Sequence, residues 1–466
     1  QLYRKYTYEE RHSYSLDAIA EYELDERKTQ YEGTLDQLYN QDFAKFIDYN
    51  RQDAMLVAKL DKKLRFLDLA NELAHDNTVL LQTTMCAVAV TEQAIINEAH
   101  RRGVQVPNRT KMSERDDDNS AAGAYVAYPK KGLHQWIGSV DINSLYPSAI
   151  RACNMGPETI VGQLRQTMTT KLIRERMDSG QSFAAAWEGL FACLEYTAVM
   201  EQQRGTEITI DWQDGDETVH SAAEVWRLIF DSRQPWTLSA NGTIFKYDVK
   251  GIIPALLERW YAERKEMQAK LKQCTTPEDE EYWDKRQLVK KINLNSLYGA
   301  ILNPGCRFFD ARIGQSTTLT GRQIVKHMNA KINELVAGEY NHVGQSNIYA
   351  DTDSAYFSIW PIIKDSVERG DMTWNKEACV ELYDAIADQV NDSFPAFMEQ
   401  NFHCPRRLGE LIRGGRELIA TKGLYITKKR YAVLIYDLEG KRLDVNGEPG
   451  KVKAMGLDLK RSDTPK

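Results

Sequence analysis

The sequence has no run of about 18 apolar residues of the kind that spans a bilayer, which sets membrane enzymes aside and leads us to expect no membrane partner. It has no C-x-x-C either. Its seven cysteines (Cys86, Cys153, Cys193, Cys274, Cys306, Cys379, Cys404) lie far apart and are odd in number, so neither a disulfide framework nor a zinc ribbon is supported and a reducing compartment fits best. No internal repeat or low-complexity stretch stands out. The chain begins at Gln1 without an initiator methionine or a charged-then-apolar leader, which reads as a piece of a longer polypeptide rather than a secreted precursor. An excess of positive charge is also missing: 60 Lys+Arg against 67 Asp+Glu give a net charge of −7, which by the sum alone weighs against a nucleic-acid partner. The distribution is uneven, however. From Pro405 to Lys466 there are 15 basic against 8 acidic residues, a local +7, leaving −14 on the first 404. Such a basic end is either a solvated face or a contact surface for an anion, and charge alone leaves both open.

What is present is the material of a large globular protein. The 466 residues correspond to about three domains of roughly 150 residues each, with 42% hydrophobic and 27% charged residues. Up to about residue 75, apolar positions such as Leu35, Leu38, Phe43, Phe46, Ile47, Leu56 and Leu60 recur at helical spacing and predict a mostly helical start. The stretch from Asn108 to Tyr125 is polar and apolar-poor, the composition of an exposed connection, and we expect a boundary there. WIGSVDI, Trp136 to Ile142, then reads as a strand, followed by a turn and a helix from about Ser148. Between Ile253 and Leu302 two helical patterns flank Thr276-Pro277-Glu278-Asp279, where an N-cap, a first-turn proline and acids predict the start of the second helix of a hairpin. SNIYADTDSAYFSIW, Ser346 to Trp360, predicts two strands around Asp351-Thr352-Asp353, and GLYITKKRYAVLIYD, Gly423 to Asp437, predicts another strand pair.

Three of these places carry chemistry. Asp141 falls at the end of a predicted strand, where a carboxylate can leave the sheet and reach a site at its rim. Asp351 and Asp353 occupy a second turn. Magnesium favours carboxylate oxygens while keeping positions for phosphate and water, so carboxylates drawn from two elements suit a two-metal site. Taken alone, Asp-Thr-Asp is equally what a solvated turn offers, because Asp favours turns for local reasons. On the second hairpin helix Lys291, Asn295 and Tyr298 share one face at i, i+4 and i+7. That face is either solvated surface or a place where the lysine meets a phosphate and Asn and Tyr meet a base or sugar edge, with Arg264 opposite as a second phosphate contact.

Together these segments resemble a known family. DINSLYPSAI (Asp141 to Ile150), KINLNSLYG (Lys291 to Gly299) and YADTDS (Tyr349 to Ser354) are similar, in order and spacing, to motifs A, B and C of family B DNA polymerases. KKRY (Lys428 to Tyr431), the SANG turn (Ser239 to Gly242) and TPK (Thr464 to Lys466) extend the likeness over most of the chain, and HSYSLDAIAEYEL (His12 to Leu24) resembles the T-even-like phage subgroup. The resemblance implies a mixed α+β right-hand fold, with an antiparallel-sheet palm, helical-hairpin fingers and a partial exonuclease-domain remnant. It implies an exonuclease and N-terminal-domain segment over 1–120, palm over 121–252, fingers over 253–304, palm again over 305–455, and the start of the thumb over 456–466. By matching position, Asp141 and Asp351 resemble the two metal-binding aspartates, with Asp353 beside them and the Ile142 carbonyl as a further ligand. Two Mg2+ ions, with Mn2+ as substitute, are the implied cofactors. Ser144, Leu145 and Tyr146 resemble the segment that cradles the triphosphate, with Tyr146 under the incoming sugar. Lys291 and Arg264 resemble the phosphate-binding pair, and Asn295, Tyr298 and Gly299 resemble residues that line the nascent base pair. Thr352, Glu417, Lys428, Lys429 and Lys466 resemble primer-end and primer-backbone contacts, Lys429 also being counted with the catalytic group.

The sequence departs from the family in places. Gln268 stands where the phage pattern carries a lysine, and the tyrosine expected before the GAYV linker is Ala121. YNRQD, Tyr49 to Asp53, resembles only the last of three exonuclease motifs, so proofreading is not expected of this chain. The implied partners are primer-template DNA, deoxyribonucleoside triphosphates, the N-terminal exonuclease and C-terminal thumb segments, and a sliding clamp in the full-length form, all in the cytoplasm of an infected bacterium. The alternative is a catalytically weak DNA-binding piece that acts only with partner polypeptides. A reverse transcriptase is disfavoured because its paired aspartates are adjacent, whereas Thr352 separates Asp351 from Asp353.

Overall fold

The computed structural model describes residues 1–7, 11, 13–109, 123–166, 179 and 207–457. His12, Ala121, most of the 108–125 connection, Cys193, Lys466 and the TPK run lie outside the described residues. The chain forms two compact units, each assembled from stretches distant in sequence. Among the described residues one holds Gln1–Asn97 and Glu263–Asn293, the other Glu98–Ala262 and 294–457. No helix among the described residues is long and apolar enough to cross a membrane.

The first unit is helical, as the spacing of its apolar residues predicts. Helices Leu2–Tyr6, Leu16–Leu24, Leu35–Gln41, Phe43–Leu64 and Phe66–Asn77 follow one another closely. Their starts are written in side chains: Ser15 accepts the Ala18 N–H, Thr34 and Gln37 form a reciprocal capping box, and Asp42 accepts the Lys45 N–H. The hairpin helices Ile252–Leu271 and Pro277–Ile301 start as expected, with Pro277 first in its helix and Thr276 Oγ1 accepting the Asp279 N–H. Leu69, Leu73, Val90 and Val289 form a buried cluster, sealed by Phe66, Leu288 and Ile292. Beside it the nearly buried Lys290 ammonium is held by Asp76 and by Glu263 at 2.6 Å. A buried charge of this kind persists only when paired.

The second unit carries the described sheets. Its strands are β1 (Gly132–Ile142), β2 (Ile160–Gln166), β3 (Glu207–Trp212), β4 (Glu217–Ser221), β5 (Trp236–Leu238), β6 (Thr243–Lys246), β7 (Asn347–Asp351), β8 (Ser354–Ser358), β9 (Gly414–Thr427), β10 (Arg430–Leu438), β11 (Lys441–Arg442) and β12 (Lys451–Met455). One seven-stranded sheet runs β11-β10-β9-β1-β8-β7, with β12 also paired to β10. A smaller sheet, unforeseen from sequence, runs β4-β3-β2-β6-β5 around Leu164, Ile210, Leu238 and Ile244. Both predicted hairpins are present, and the SANG residues form the turn between β5 and β6. β1 begins four residues earlier than expected, and the helix after it spans Leu145–Ala152 rather than starting near Ser148. Ser144 makes the difference: at φ +50° it turns the chain at once, and Pro147 is tolerated in a first helical turn.

The seven-stranded sheet is buried on both faces near its middle. Ile137, Tyr349, Tyr356, Leu418, Tyr425, Tyr431 and Val433 pack on one side. On the other, helix Lys376–Phe402 brings Tyr383 against Gly138, where an added Cβ would lie 2.3 Å from the ring. Helix Ala311–Ala337 also packs against β7 and β8. The sheet therefore holds its strand ends fixed on a rigid support.

Candidate active site

The end of β1 and the β7–β8 turn meet at one rim of the large sheet. Asp141 pairs in register with Ser354, and the Ile142 N–H donates to the Asp353 carbonyl at 2.9 Å. The turn is tight, with Thr352 at φ +60°, a region that β-branched residues rarely enter. Its N–H donates to the Tyr125 carbonyl at 2.9 Å, and Val126 bridges Asp351, so the GAYV segment fixes this turn from outside. Backbone strain held by its surroundings in this way is characteristic of functional turns.

Two carboxyls at this rim are held back from ionising. Burial pushes the Asp141 carboxyl up to about 8, helped by the negative charges of Asp353 and Glu417. Burial likewise raises Asp353 to about 6, with Asp351 and Glu417 adding to the rise. Carboxyls that resist ionising beside one another are ones for which a divalent cation can replace the proton. Asp351 is differently placed. Its Oδ1 accepts from Lys429 Nζ and from Thr352 Oγ1, each at 3.0 Å, and its Oδ2 from the Tyr349 hydroxyl at 3.1 Å. The resemblance gave Asp141 and Asp351 as metal-binding aspartates with Asp353 beside them; in the structure Asp353 is the aspartate whose charge bears on Asp141, while Asp351 accepts from Lys429. Asp351 ends β7 beside Tyr349, near the β9–β10 turn whose Lys429 N–H also donates to the Tyr349 hydroxyl at 2.9 Å, and Thr352 at φ +60° then turns the chain so that Asp353 lies beyond the bend.

Glu417 completes the acidic rim. Its Oε1 accepts from Lys453 Nζ at 3.0 Å and its Oε2 from Ser139 Oγ at 3.2 Å. The β1–β9 register shifts between Gly138 and Val140, leaving Glu417 and Leu418 opposite Ser139 alone, a bulge filled by Ser139 Oγ accepting the Leu418 N–H at 3.3 Å. Lys453 would be depressed by its burial, but Glu417 and Asp141 outweigh that and raise it. Ser139 and Lys453 were missed from sequence. Ser139 had a signal, lying two residues before Asp141 on the same strand face; Lys453, on β12, had none. Among the described residues no three or more His, Cys, Asp or Glu side chains gather as a complete metal cage. The pair Asp141 and Asp353, with the Ile142 carbonyl adjacent, fits an ion that takes its remaining oxygens from water and phosphate.

Beside the carboxylates, Ser144 and Leu145 open helix Leu145–Ala152 and Tyr146 packs against Tyr298, ring centroids 4.4 Å apart and planes tilted by 35°. The Tyr298 hydroxyl is hydrogen-bonded to Thr318 Oγ1, and burial pushes Tyr298 up to about 12. Asn295 and Gly299 lie exposed on the same helix, and an added Cβ at Gly299 would meet nothing within 4 Å. Lys428 lies over the exposed Tyr128 ring at 4.1 Å. Lys291 and Arg264 belong to the first unit, where Lys291 is exposed and Arg264 Nε lies 3.4 Å from Gln287 Oε1. In that same unit Tyr49 and Asp53 are joined by Lys28, whose Nζ lies 2.7 Å from both the Tyr49 hydroxyl and Asp53 Oδ2.

Comparison with known proteins decides the family. The model of DNA polymerase family B matches residues 79–362, well over half of the chain. The chain belongs to DNA polymerase family B. It is 26% identical to the DNA-directed DNA polymerase of Escherichia phage RB69 over 486 residues, covering 100% of this chain and 51% of that protein. It is also 26% identical to the DNA-directed DNA polymerase of Enterobacteria phage T4 over 490 residues, covering 100% and 52%. A DNA polymerase of Pyrococcus glycovorans is 23% identical over 376 residues, covering 80% and 34%. This family B chain thus spans about half the length of the phage relatives it matches.

Proposed function

We propose that this chain is the nucleotide-adding core of a phage replicative DNA polymerase, extending a DNA primer on a template in the cytoplasm of an infected bacterium. The observation that carries the reading is the meeting of Asp141 and Asp353 at one sheet rim, with carboxyls that burial and neighbouring negative charges hold back from ionising. Asp141, Asp353 and the Ile142 carbonyl are the proposed holders of two Mg2+ ions, with Mn2+ as substitute. Bound there, the ions would polarise the phosphoryl oxygens and stabilise the attacking and leaving oxygens of an in-line displacement.

The chain's own groups do the positioning. The backbone of Ser144, Leu145 and Tyr146, at a helix start, offers N–H groups to the triphosphate. Lys291 and Arg264 add positive charge to its tail. Tyr146 lies under the sugar, where a 2'-hydroxyl would collide, and Asn295, Tyr298 and Gly299 face the nascent base pair. Thr352, Lys428 and Lys429 meet the primer end, Asp351 holding the Lys429 ammonium in place until DNA arrives. Glu417, braced by Ser139 and Lys453, keeps the acidic rim in shape. In this reading the sheet and its carboxylates form the palm, the hairpin helices the fingers, and Tyr49 with Asp53 an exonuclease remnant whose one carboxylate is engaged by Lys28. Lys466 would touch the primer backbone at the start of the thumb, and a sliding clamp would serve the longer protein.

The test is template-directed addition. The purified chain is given primer-template DNA, Mg2+ and one deoxyribonucleoside triphosphate at a time. Only the nucleotide complementary to the template should be added. Failure to add any nucleotide, or addition indifferent to the template, would count against the reading.

A further inference from the structure

Helix Ala311–Ala337 runs beneath the Tyr146 and Tyr298 ring pair and meets both rings through small residues. Gly321, buried in the middle of the helix, sits against Tyr146. A Cβ built there would lie 3.1 Å from Tyr146 Cε1 and 3.3 Å from both Tyr146 Cδ1 and Leu145 Cδ2. Those separations are tighter than an ordinary van der Waals contact, so the ring would have to give by a few tenths of an ångström. One turn earlier on the same helix face, Thr318 Oγ1 is hydrogen-bonded to the Tyr298 hydroxyl, and Thr318 also donates to the Gly314 carbonyl at 3.1 Å. The helix is tied down independently of the rings: Ser316 donates to Asn241 Oδ1 at 2.8 Å, and the Ala240 N–H donates to Thr320 Oγ1 at 3.2 Å. Gly321 is therefore a fixed floor for the Tyr146 ring, and Thr318 a fixed stop for the Tyr298 ring packed against it.

Resting on the reading of Tyr146 as the ring under the incoming sugar, we infer that Gly321 is a specificity-determining position. The absence of a side chain at Gly321 sets the depth of that ring and hence the room left at the sugar's 2' position. A helix interior ordinarily favours alanine over glycine, and here the missing methyl is the space the ring occupies. Adding it displaces the ring away from the helix, and in this reading toward the sugar. Gly321 acts through Tyr146 and touches no substrate itself.

The test measures single-nucleotide incorporation by the full chain, with matched deoxyribonucleoside and ribonucleoside triphosphates. Gly321→Ala should raise KM for the deoxyribonucleotide about 3- to 10-fold with kcat less affected, and lower ribonucleotide use about 10-fold further, the scale expected when a reacting partner is misplaced by a fraction of an ångström. Thr318→Val should move discrimination the other way, by about threefold, because the ring behind Tyr146 loses its stop. In a Tyr146→Ala background the Gly321→Ala effect on sugar choice should vanish, since residues that act through one another do not add. Unaltered discrimination in Gly321→Ala, or an effect undiminished without the Tyr146 ring, would overturn the inference. If Tyr146→Ala itself leaves sugar choice unchanged, the reading of Tyr146 fails instead, and the two failures are distinguished. Should Gly321→Ala not fold, by its thermal midpoint, Thr318→Val decides alone: unchanged discrimination there also overturns the inference.

Discussion

Replacing Asp141 with asparagine should make the metal-free protein more stable at alkaline pH, although it removes a residue we place at the centre of the chemistry. Burial, then Asp353 and Glu417, push the Asp141 carboxyl from 3.8 up to about 8. Between those values the folded state keeps a proton that the unfolded state has released. Stability from this group is therefore full below pH 3.8, falls as pH rises through the window, and is lost above about 8. Each unit is worth about 1.36 kcal/mol, so a shift of roughly four units sets a ceiling of about 5 kcal/mol. The carboxyl is only half-buried, and screening by nearby water reduces the expected penalty to about 2–3 kcal/mol. Asparagine keeps the shape without the charge. Urea unfolding in a chelator should show Asp141→Asn about 2–3 kcal/mol more stable than the parent at pH 8.5 and nearly equal to it at about pH 3. Saturating Mg2+ should erase the difference, because ion binding stabilises only the parent, by about 2.7 kcal/mol at a hundredfold excess over Kd. Parallel pH profiles for parent and variant would refute the argument, since then no charge conflict exists at the rim.

Lys291→Ala should weaken nucleotide use far more than DNA binding, raising KM for the triphosphate by about 10-fold or more with little change in duplex affinity; a loss of DNA affinity without a nucleotide effect, in binding and kinetic assays side by side, would contradict its proposed place. Ser139→Ala should cost about 1–3 kcal/mol, because it leaves the buried Leu418 N–H unpaired and removes a donor to Glu417, and thermal or urea unfolding checks it. His327 is held down to about 3 by its burial and by Lys331, stacked on Phe397 with its ring nitrogens at Tyr340 and Ser393. Its contribution to stability is therefore full above about pH 6.5 and lost as pH falls toward 3, at up to about 1.36 kcal/mol per unit. His327→Leu should flatten that acid limb, and an unchanged slope would exclude His327 as its source.

The legible parts of the fold were those set by local pattern. The apolar spacing from Leu35 to Leu60, the proline at 277 and the alternation around Asp351 and Asp353 each act within a few residues, so helices and hairpins could be read directly. The five-stranded sheet was not anticipated: its strands are short and draw on residues from Ile160 to Lys246. The site was legible as a set of carboxylates but not in its internal order. Whether Asp351 or Asp353 joins Asp141 depends on Lys429, 78 residues beyond Asp351, and no spacing rule reports such a contact. The brace of Glu417 by Lys453 likewise depends on β12 folding back along β10, and the floor under Tyr146 on a glycine 175 residues further along the chain.

The central claim is that Asp141 and Asp353 together carry nucleotide addition, with Asp351 anchoring Lys429. Single-turnover incorporation of a templated deoxyribonucleotide by Asp353→Asn and Asp351→Asn, at saturating Mg2+ and DNA, tests it most directly. The account predicts that Asp353→Asn loses about 10^3-fold in rate, the scale of removing a preorganised charge-stabilising group, while Asp351→Asn stays within about tenfold of the parent. Near-parental incorporation by Asp353→Asn, with Asp351→Asn inactive, would contradict it.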